Sequence, residues 1–251
     1  MRPDQPLLSV VVPCFNEEAV LPEFHRRIVA TLVAEPGLRY EIVLVNDGST
    51  DGTLTAMRAL QEADKRVRVI DLTRNFGKEA ALTAAIDEAR GDVVVPIDAD
   101  LQDPPSLIPL MVEKWRQGAD VVLARRADRS TDSLLKRQTA RWFYRIHNRL
   151  AEPKLPEDVG DFRLMDRRVV EALKRMPERR RFMKGMFAWV GFPSATLEYD
   201  RDLRAAGKTK FSGWRLWNLA IEGVTSFSTA PLRIWTYLGF LVSFLSIATA
   251  F

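Results

Sequence analysis

The stretch GDVVVPIDADLQDPP, residues 91–105, decides the fold. Its apolar β-formers at 92–97 run straight into Asp98, Asp100, Gln102 and Asp103, with Pro104 and Pro105 behind. A strand that is apolar at successive positions must be covered on both faces, as in a parallel sheet. Four similar runs occur at 8–13, 41–46, 67–72 and 120–124. Helix-period segments lie between them. Leu54, Met57, Leu60 and Ala63 share one face of 54–63. Residues 78–90 are Ala-rich and stop at Gly91. Leu107, Leu110, Met111 and Trp115 repeat through 105–117, and Gly118 closes that segment. Strands alternating with helices predict an α/β fold, Rossmann-like, with a mostly parallel sheet, helices on both faces and right-handed crossovers.

Ligands of such sheets bind outside the carboxyl ends of the strands. Polar clusters stand at those ends: Asn16-Glu17-Glu18, Asn46-Asp47-Gly48-Ser49, Arg74-Asn75 and Asp98-Ala99-Asp100-Leu101-Gln102. Four polar ends on one edge predict one site. Neither G-x-G-x-x-G nor G-x-x-x-x-G-K-[ST] occurs, so the sheet must hold its ligand with side chains, with or without a metal, rather than with a phosphate loop. In an extended strand end, Asp98, Asp100 and Gln102 would point the same way. Two carboxylates and an amide carbonyl are hard oxygen donors, suited to Mg²⁺ or Mn²⁺ with phosphate oxygens completing the shell.

The chain of 251 residues, 47% hydrophobic, fits one large domain or a domain with an appendage. Net charge is only +4, but Arg125–Arg149 carries eight Lys/Arg against two Asp, which predicts an anionic partner. Within it, 133–150 reads as an amphipathic helix, with Arg137, Arg141, Arg145 and Arg149 at i, i+4 spacing and Trp142 and Phe143 on the other side. Such a helix suits a membrane surface. A second interfacial helix is predicted over 212–231, with Trp214, Trp217, Ile221 and Val224 on one face. A charge-free run, Ile234–Phe251, opens with Trp235 and Tyr237 and reads as a transmembrane segment over 232–251, cut within or just after the span. The predicted organisation is a catalytic domain over 1–211, then the interfacial helix, then the span. Two amphipathic helices and a span also offer surface for a homo-oligomer. The single Cys14 forms no internal disulfide, fits a reducing compartment, and reads as a small buried residue rather than a nucleophile. His25 and His147 lack ligand spacing.

Five ordered motifs, VVPCFNEE, VNDGSTDGT, DADLQDPP, GDFRLM and RAAGKTKF, cover most of the chain. Together they resemble glycosyltransferase family two, of GT-A fold, and most of all its polyprenyl-phosphate branch, the bactoprenol glucosyltransferases and dolichyl-phosphate mannose synthases. The resemblance implies that Pro13, Phe15, Glu17, Val45 and Asp47 line the base and ribose of a nucleotide-sugar donor. It implies that Asp98, Ala99 and Asp100 bind nucleotide, that Asp98 and Asp100 also bind metal, and that Gln102 completes the metal shell. Asp161 matches the acidic residue near the acceptor, and Asp161 and Asp100 become the catalytic pair. Arg125 matches an arginine facing the acceptor phosphate. Arg204 and Lys210 match residues reaching the phosphates, with Lys136 and Arg137 as further candidates.

The implied reaction is inverting, metal-dependent transfer of a sugar, glucose from UDP-glucose, to undecaprenyl phosphate. Its place is the cytoplasmic face of a bacterial inner membrane, with the lipid bilayer as partner. A polysaccharide synthase or soluble-acceptor transferase would share the carboxylates but not the Arg-aromatic helices. A non-enzymatic basic membrane-surface or nucleic-acid-binding protein would not need the carboxylates, and no nucleic-acid motif occurs. Gln138–Trp142 matches Q-x-x-R-W, a mark of processive synthases. It precedes GDFR instead of following it, so it is read as coincidence.

Overall fold

The structure is a computed structural model and describes residues 2–127, 159–178, 181–199 and 230–250. The chain divides into two compact units, one of residues 1–131 and 158–209, the other of 132–157 and 210–251.

The first unit carries β1 (Leu7–Cys14), α1 (Leu21–Val33), β2 (Arg39–Asn46), α2 (Thr53–Ala63), β3 (Val67–Asp71), α3 (Lys78–Glu88), β4 (Val93–Pro96), α4 (Leu107–Arg116) and β5 (Val121–Arg126). It continues with β6 (Val159–Asp166), α5 (Arg167–Lys174), α6 (Met183–Trp189) and β7 (Ser194–Tyr199). The strands form one seven-stranded sheet in the order β3-β2-β1-β4-β6-β5-β7. Val10, Val11 and Val12 are all 0% exposed. Three successive buried residues require cover on both faces, as the apolar runs predict.

Handedness explains the layers. The steps β1→β2→β3 move one way along the sheet, and β3→β4 moves back past β1. Right-handed crossovers therefore put α1 and α2 on one face and α3 on the other. The order reverses between β1 and β4, which makes their carboxyl ends the topological switch point where α/β sheets hold ligands.

Two strands depart from the expected pattern. β6 is not among the apolar runs; it lies antiparallel between β4 and β5 and separates them. β7 extends the edge parallel to β5. Because β6 runs backwards, its first residues, not its last, reach the carboxyl edge of its neighbours. That places Asp161 where the polar strand ends meet.

Side-chain hydrogen bonds tie those ends together. The Asn16 amide donates to Ser49 Oγ (3.0 Å) and Asn16 Oδ1 accepts from the Thr50 amide (2.8 Å). Glu17 N donates to Thr53 Oγ1 (2.8 Å), and Glu18 Oε2 accepts from Gly52 N (2.9 Å). Asn16 adopts φ 56° to make the turn, a conformation Asn tolerates better than most residues. Gly48, at φ +63°, lies so close to the next loop that an added Cβ would stand 2.4 Å from the Arg74 carbonyl carbon. Gly48→Ala is therefore expected to lower stability by about 1–3 kcal/mol, read as a drop in thermal unfolding temperature. An unchanged midpoint would mean that the 74–77 loop yields without cost.

The second unit is described over α7 (Ala230–Ala250). Trp235, Tyr237, Phe240, Phe244 and Ile247 are all more than half exposed on it. Among the described residues, no helix is long and apolar enough to cross a membrane. The predicted span is thus matched by a 21-residue helix with exposed apolar side chains, without a crossing being shown. The helices predicted over 133–150 and 212–231 lie outside the described residues.

Candidate active site

The 98–102 turn differs from the extended end predicted for it. β4 stops at Pro96, and Leu101 takes φ 59°, so Asp98, Asp100 and Gln102 sit on a turn instead of alternating along a strand. Asp100 is 8% exposed, and its Oδ1 accepts from the Gln102 amide (3.2 Å). Leu101 and Ala99 are buried beneath. Asp103, on the same turn, is anchored by a hydrogen bond from the Tyr199 hydroxyl of β7.

Lys78, the first residue of α3, is a site residue that the motifs do not mark. Its ammonium stands 2.8 Å from Asp98 Oδ1 and 2.7 Å from Asp161 Oδ2. It joins the end of β4 to the start of β6, two elements far apart in sequence. Burial opposes its charge, but the carboxylates of Asp161 and Asp98 outweigh that and raise its pKa. For Asp161, burial likewise favours the neutral acid. The charges of Lys78 and Lys184 outweigh it and hold the carboxyl well below its ordinary range. Asp161 is therefore ionised. Its Oδ1 is buried with no hydrogen-bond partner among the described residues, an acceptor available to a ligand hydroxyl.

Glu79 follows Lys78 and is likewise unmarked by any motif. Its Oε2 accepts from the Met183 amide at the start of α6 (3.0 Å). Burial first, and the charge of Asp161 second, push its pKa up to about 7. The signal that could reveal both residues is a Lys-Glu pair opening a helix at the edge where the carboxylates gather.

The nucleoside candidates are distributed unevenly. Pro13, Phe15 and Glu17 are partly exposed at the end of β1. Val45 is 0% exposed, so its side chain belongs to the core and only its main chain is available. Asp47 is 3% exposed, and its two oxygens accept from Phe76 N (2.7 Å) and Gly77 N (3.0 Å). It thus braces the loop that positions Lys78. Cys14 is buried, and burial followed by the charges of Glu17 and Asp98 raises its thiol pKa, as a structural cysteine requires. Arg125, near the end of β5, pairs with Glu198 of β7. Lys136, Arg137, Arg204 and Lys210 lie outside the described residues.

The donor set fits a hard divalent ion of the kind the resemblance implies. Among the described residues, no group of three or more His, Cys, Asp or Glu side chains could hold a metal. Two carboxylates and one amide are an incomplete shell, and Mg²⁺ characteristically binds through one or two carboxylates plus substrate phosphates. Asp98 already holds a cation, the Lys78 ammonium.

Residues 9–174 match the model of Glycosyl transferase family 2. The chain belongs to that family. It is 54% identical over 239 residues to a bactoprenol glucosyl transferase of Shigella phage SfV, a match covering 95% of this chain and 78% of the relative. It is 56% identical over 236 residues to a prophage bactoprenol glucosyl transferase homolog of Escherichia coli K12, covering 94% and 77%. Among solved structures, glucosyl-3-phosphoglycerate synthase of Mycobacterium tuberculosis with Mn²⁺, UDP-glucose and phosphoglyceric acid shares the fold. Its TM-score is 0.59, with 20% identity over 87% of this chain and 77% of that one. The mannosyltransferase PcManGT of Pyrobaculum calidifontis, in complex with GDP-Man and Mn²⁺, gives TM-score 0.57 and 23% identity over 86% of this chain. Our chain spans 61% of its length. The protein is a glycosyltransferase, and its described sheet is of GT-A type.

Proposed function

We propose that this glycosyltransferase moves glucose from UDP-glucose to a polyprenyl phosphate, with inversion, at the cytoplasmic face of a bacterial membrane. The observation that carries the reading is the Lys78 ammonium between Asp98 and Asp161. It unites a donor-side carboxylate and an acceptor-side carboxylate at the switch point. The relatives named bactoprenol glucosyl transferase support the acceptor and the sugar. The exposed apolar side chains of α7 support a seat in the membrane.

In this reading Phe15 and Glu17 face the nucleoside, while Asp47 holds the loop beneath it. Asp98, Asp100 and Gln102 would hold Mg²⁺ or Mn²⁺, which when bound offsets charge on the departing diphosphate as a Lewis acid. Lys78 adds a fixed positive charge beside them. A lipid monophosphate has a second pKa of about 6, so its oxygen is already a nucleophile near neutrality. That oxygen bonds to the anomeric carbon as the bond to UDP breaks, and no proton need be removed first. Asp161, ionised and with one oxygen available, orients the reacting sugar by accepting from one of its hydroxyls instead of acting as a strong base. Arg125 meets the acceptor phosphate. Arg204, Lys210, Lys136 and Arg137 are proposed, on sequence alone, to reach the phosphates.

The test incubates the full chain with radiolabelled UDP-glucose, Mn²⁺ and undecaprenyl phosphate, followed by organic extraction. Counts are expected in the organic phase, lost in EDTA and restored by Mn²⁺. Aqueous or polymeric product would instead indicate another acceptor, and undiminished transfer in EDTA would remove the metal from the scheme.

A further inference from the structure

The arginine assigned to the acceptor phosphate already holds an anion. Arg125 and Glu198 are register partners on the parallel strands β5 and β7, and their side chains form an ion pair. Both are about half exposed, at 50% and 56%. The next rung behaves oppositely. Arg126 pairs in register with Tyr199, which is 8% exposed and donates its hydroxyl to Asp103 on the donor-side turn. The Ala127 amide also donates to the Tyr199 carbonyl (2.9 Å). Alternation along the strand thus turns Tyr199 inward as an anchor and Glu198 outward as a carboxylate on the arginine.

We propose that Glu198 is a built-in competitor for the acceptor phosphate, occupying Arg125 until the lipid phosphate displaces it. The inference rests on the reading of Arg125 as an acceptor residue. Carboxylate and phosphate offer the same chemistry to a guanidinium, paired oxygens with negative charge. The tethered carboxylate must leave, or share the guanidinium, before a phosphate can use that fork. Leaving requires only rotation of the exposed Glu198 side chain, because Tyr199 fixes the strand beneath it. An exposed ion pair is weak, so the competitor raises the threshold for an anion without blocking it. It raises that threshold by the same factor for every anion that uses the guanidinium. Glu198 therefore sets the acceptor concentration the site requires and has no part in the chemical step.

The experiment titrates undecaprenyl phosphate, in detergent and at saturating UDP-glucose, against wild type, Glu198→Gln and Arg125→Gln. Glu198→Gln is expected to lower the acceptor KM about two- to fivefold, the range an exposed pair supports. The donor KM should not move. Inhibition by inorganic phosphate should strengthen by a similar factor, since the guanidinium, no longer contested by Glu198, accepts either anion. Arg125→Gln should raise the acceptor KM. If Arg125→Gln has no effect on the acceptor, the reading of the site itself fails. If Arg125→Gln raises it but Glu198→Gln leaves it unchanged or higher, with thermal unfolding unaltered, the competitor is overturned alone.

Discussion

Replacing Asp100 with Asn is expected to cut glucosyl transfer by about a thousandfold or more. Asn keeps an oxygen for the Gln102 amide, so the turn that holds Leu101 at positive φ is preserved. What is lost is one of the two carboxylate charges available to a divalent ion. Lewis-acid stabilisation of a departing phosphate is worth several kcal/mol, and about 1.4 kcal/mol corresponds to a decade of rate. The check is transfer rate against Mn²⁺ concentration, with thermal unfolding as the fold control. A folded variant that works at wild-type rate and wild-type Mn²⁺ dependence would remove Asp100 from the metal site. Asp100→Ala is the poorer probe, because it deletes the hydrogen bond to the turn as well as the charge.

The second large effect is expected at Asp161. Asp161→Asn should lower the rate at saturating substrates by about 10²- to 10³-fold, the range for losing one preorganised hydrogen-bonding group at the reacting centre. UDP binding by calorimetry should be nearly preserved. The structural reason is the buried Oδ1, which has no hydrogen-bond partner among the described residues. A buried acceptor without a partner costs about 1–3 kcal/mol, and a ligand hydroxyl that satisfies it recovers that cost in the bound complex. Oδ2 is already committed to Lys78. If Asp161→Asn instead loses UDP affinity and keeps its maximal rate, the residue acts on the donor through Lys78 and not on the reaction.

Much of this site is legible in the residues alone. The doubly buried strands announce themselves because successive β-branched residues are otherwise hard to place, and the switch-point rule then locates the site at their ends. For the DxD turn the spacing predicts an extended strand end, and alternation cannot reveal that Leu101 reverses the backbone. β6 is hidden because VGDFRLMD mixes charge with apolar residues. Its Asp166 accepts from Trp115 Nε1 (2.7 Å) and caps α5, and its Arg163 lies over the Phe187 ring. Those polar residues are buried by tertiary partners that no local pattern displays. Lys78 is hidden for a related reason. On its own it is one more helix-opening lysine, and only the antiparallel insertion of β6 brings Asp161 within its reach.

That insertion also orders events at the ribosome. The strands β3-β2-β1-β4 come from residues 7–96 and can pair as they emerge. β4 then waits with one side unfilled until residues 159–166 have been made. Its three valines, all at 0% exposure in the finished sheet, form a bare edge in the nascent chain, the kind of surface that invites mispairing with another copy. The strand that closes this edge is the one that carries Asp161. A chain interrupted before it would therefore be prone to aggregate, whereas the act that protects the sheet also brings Asp161 to Lys78.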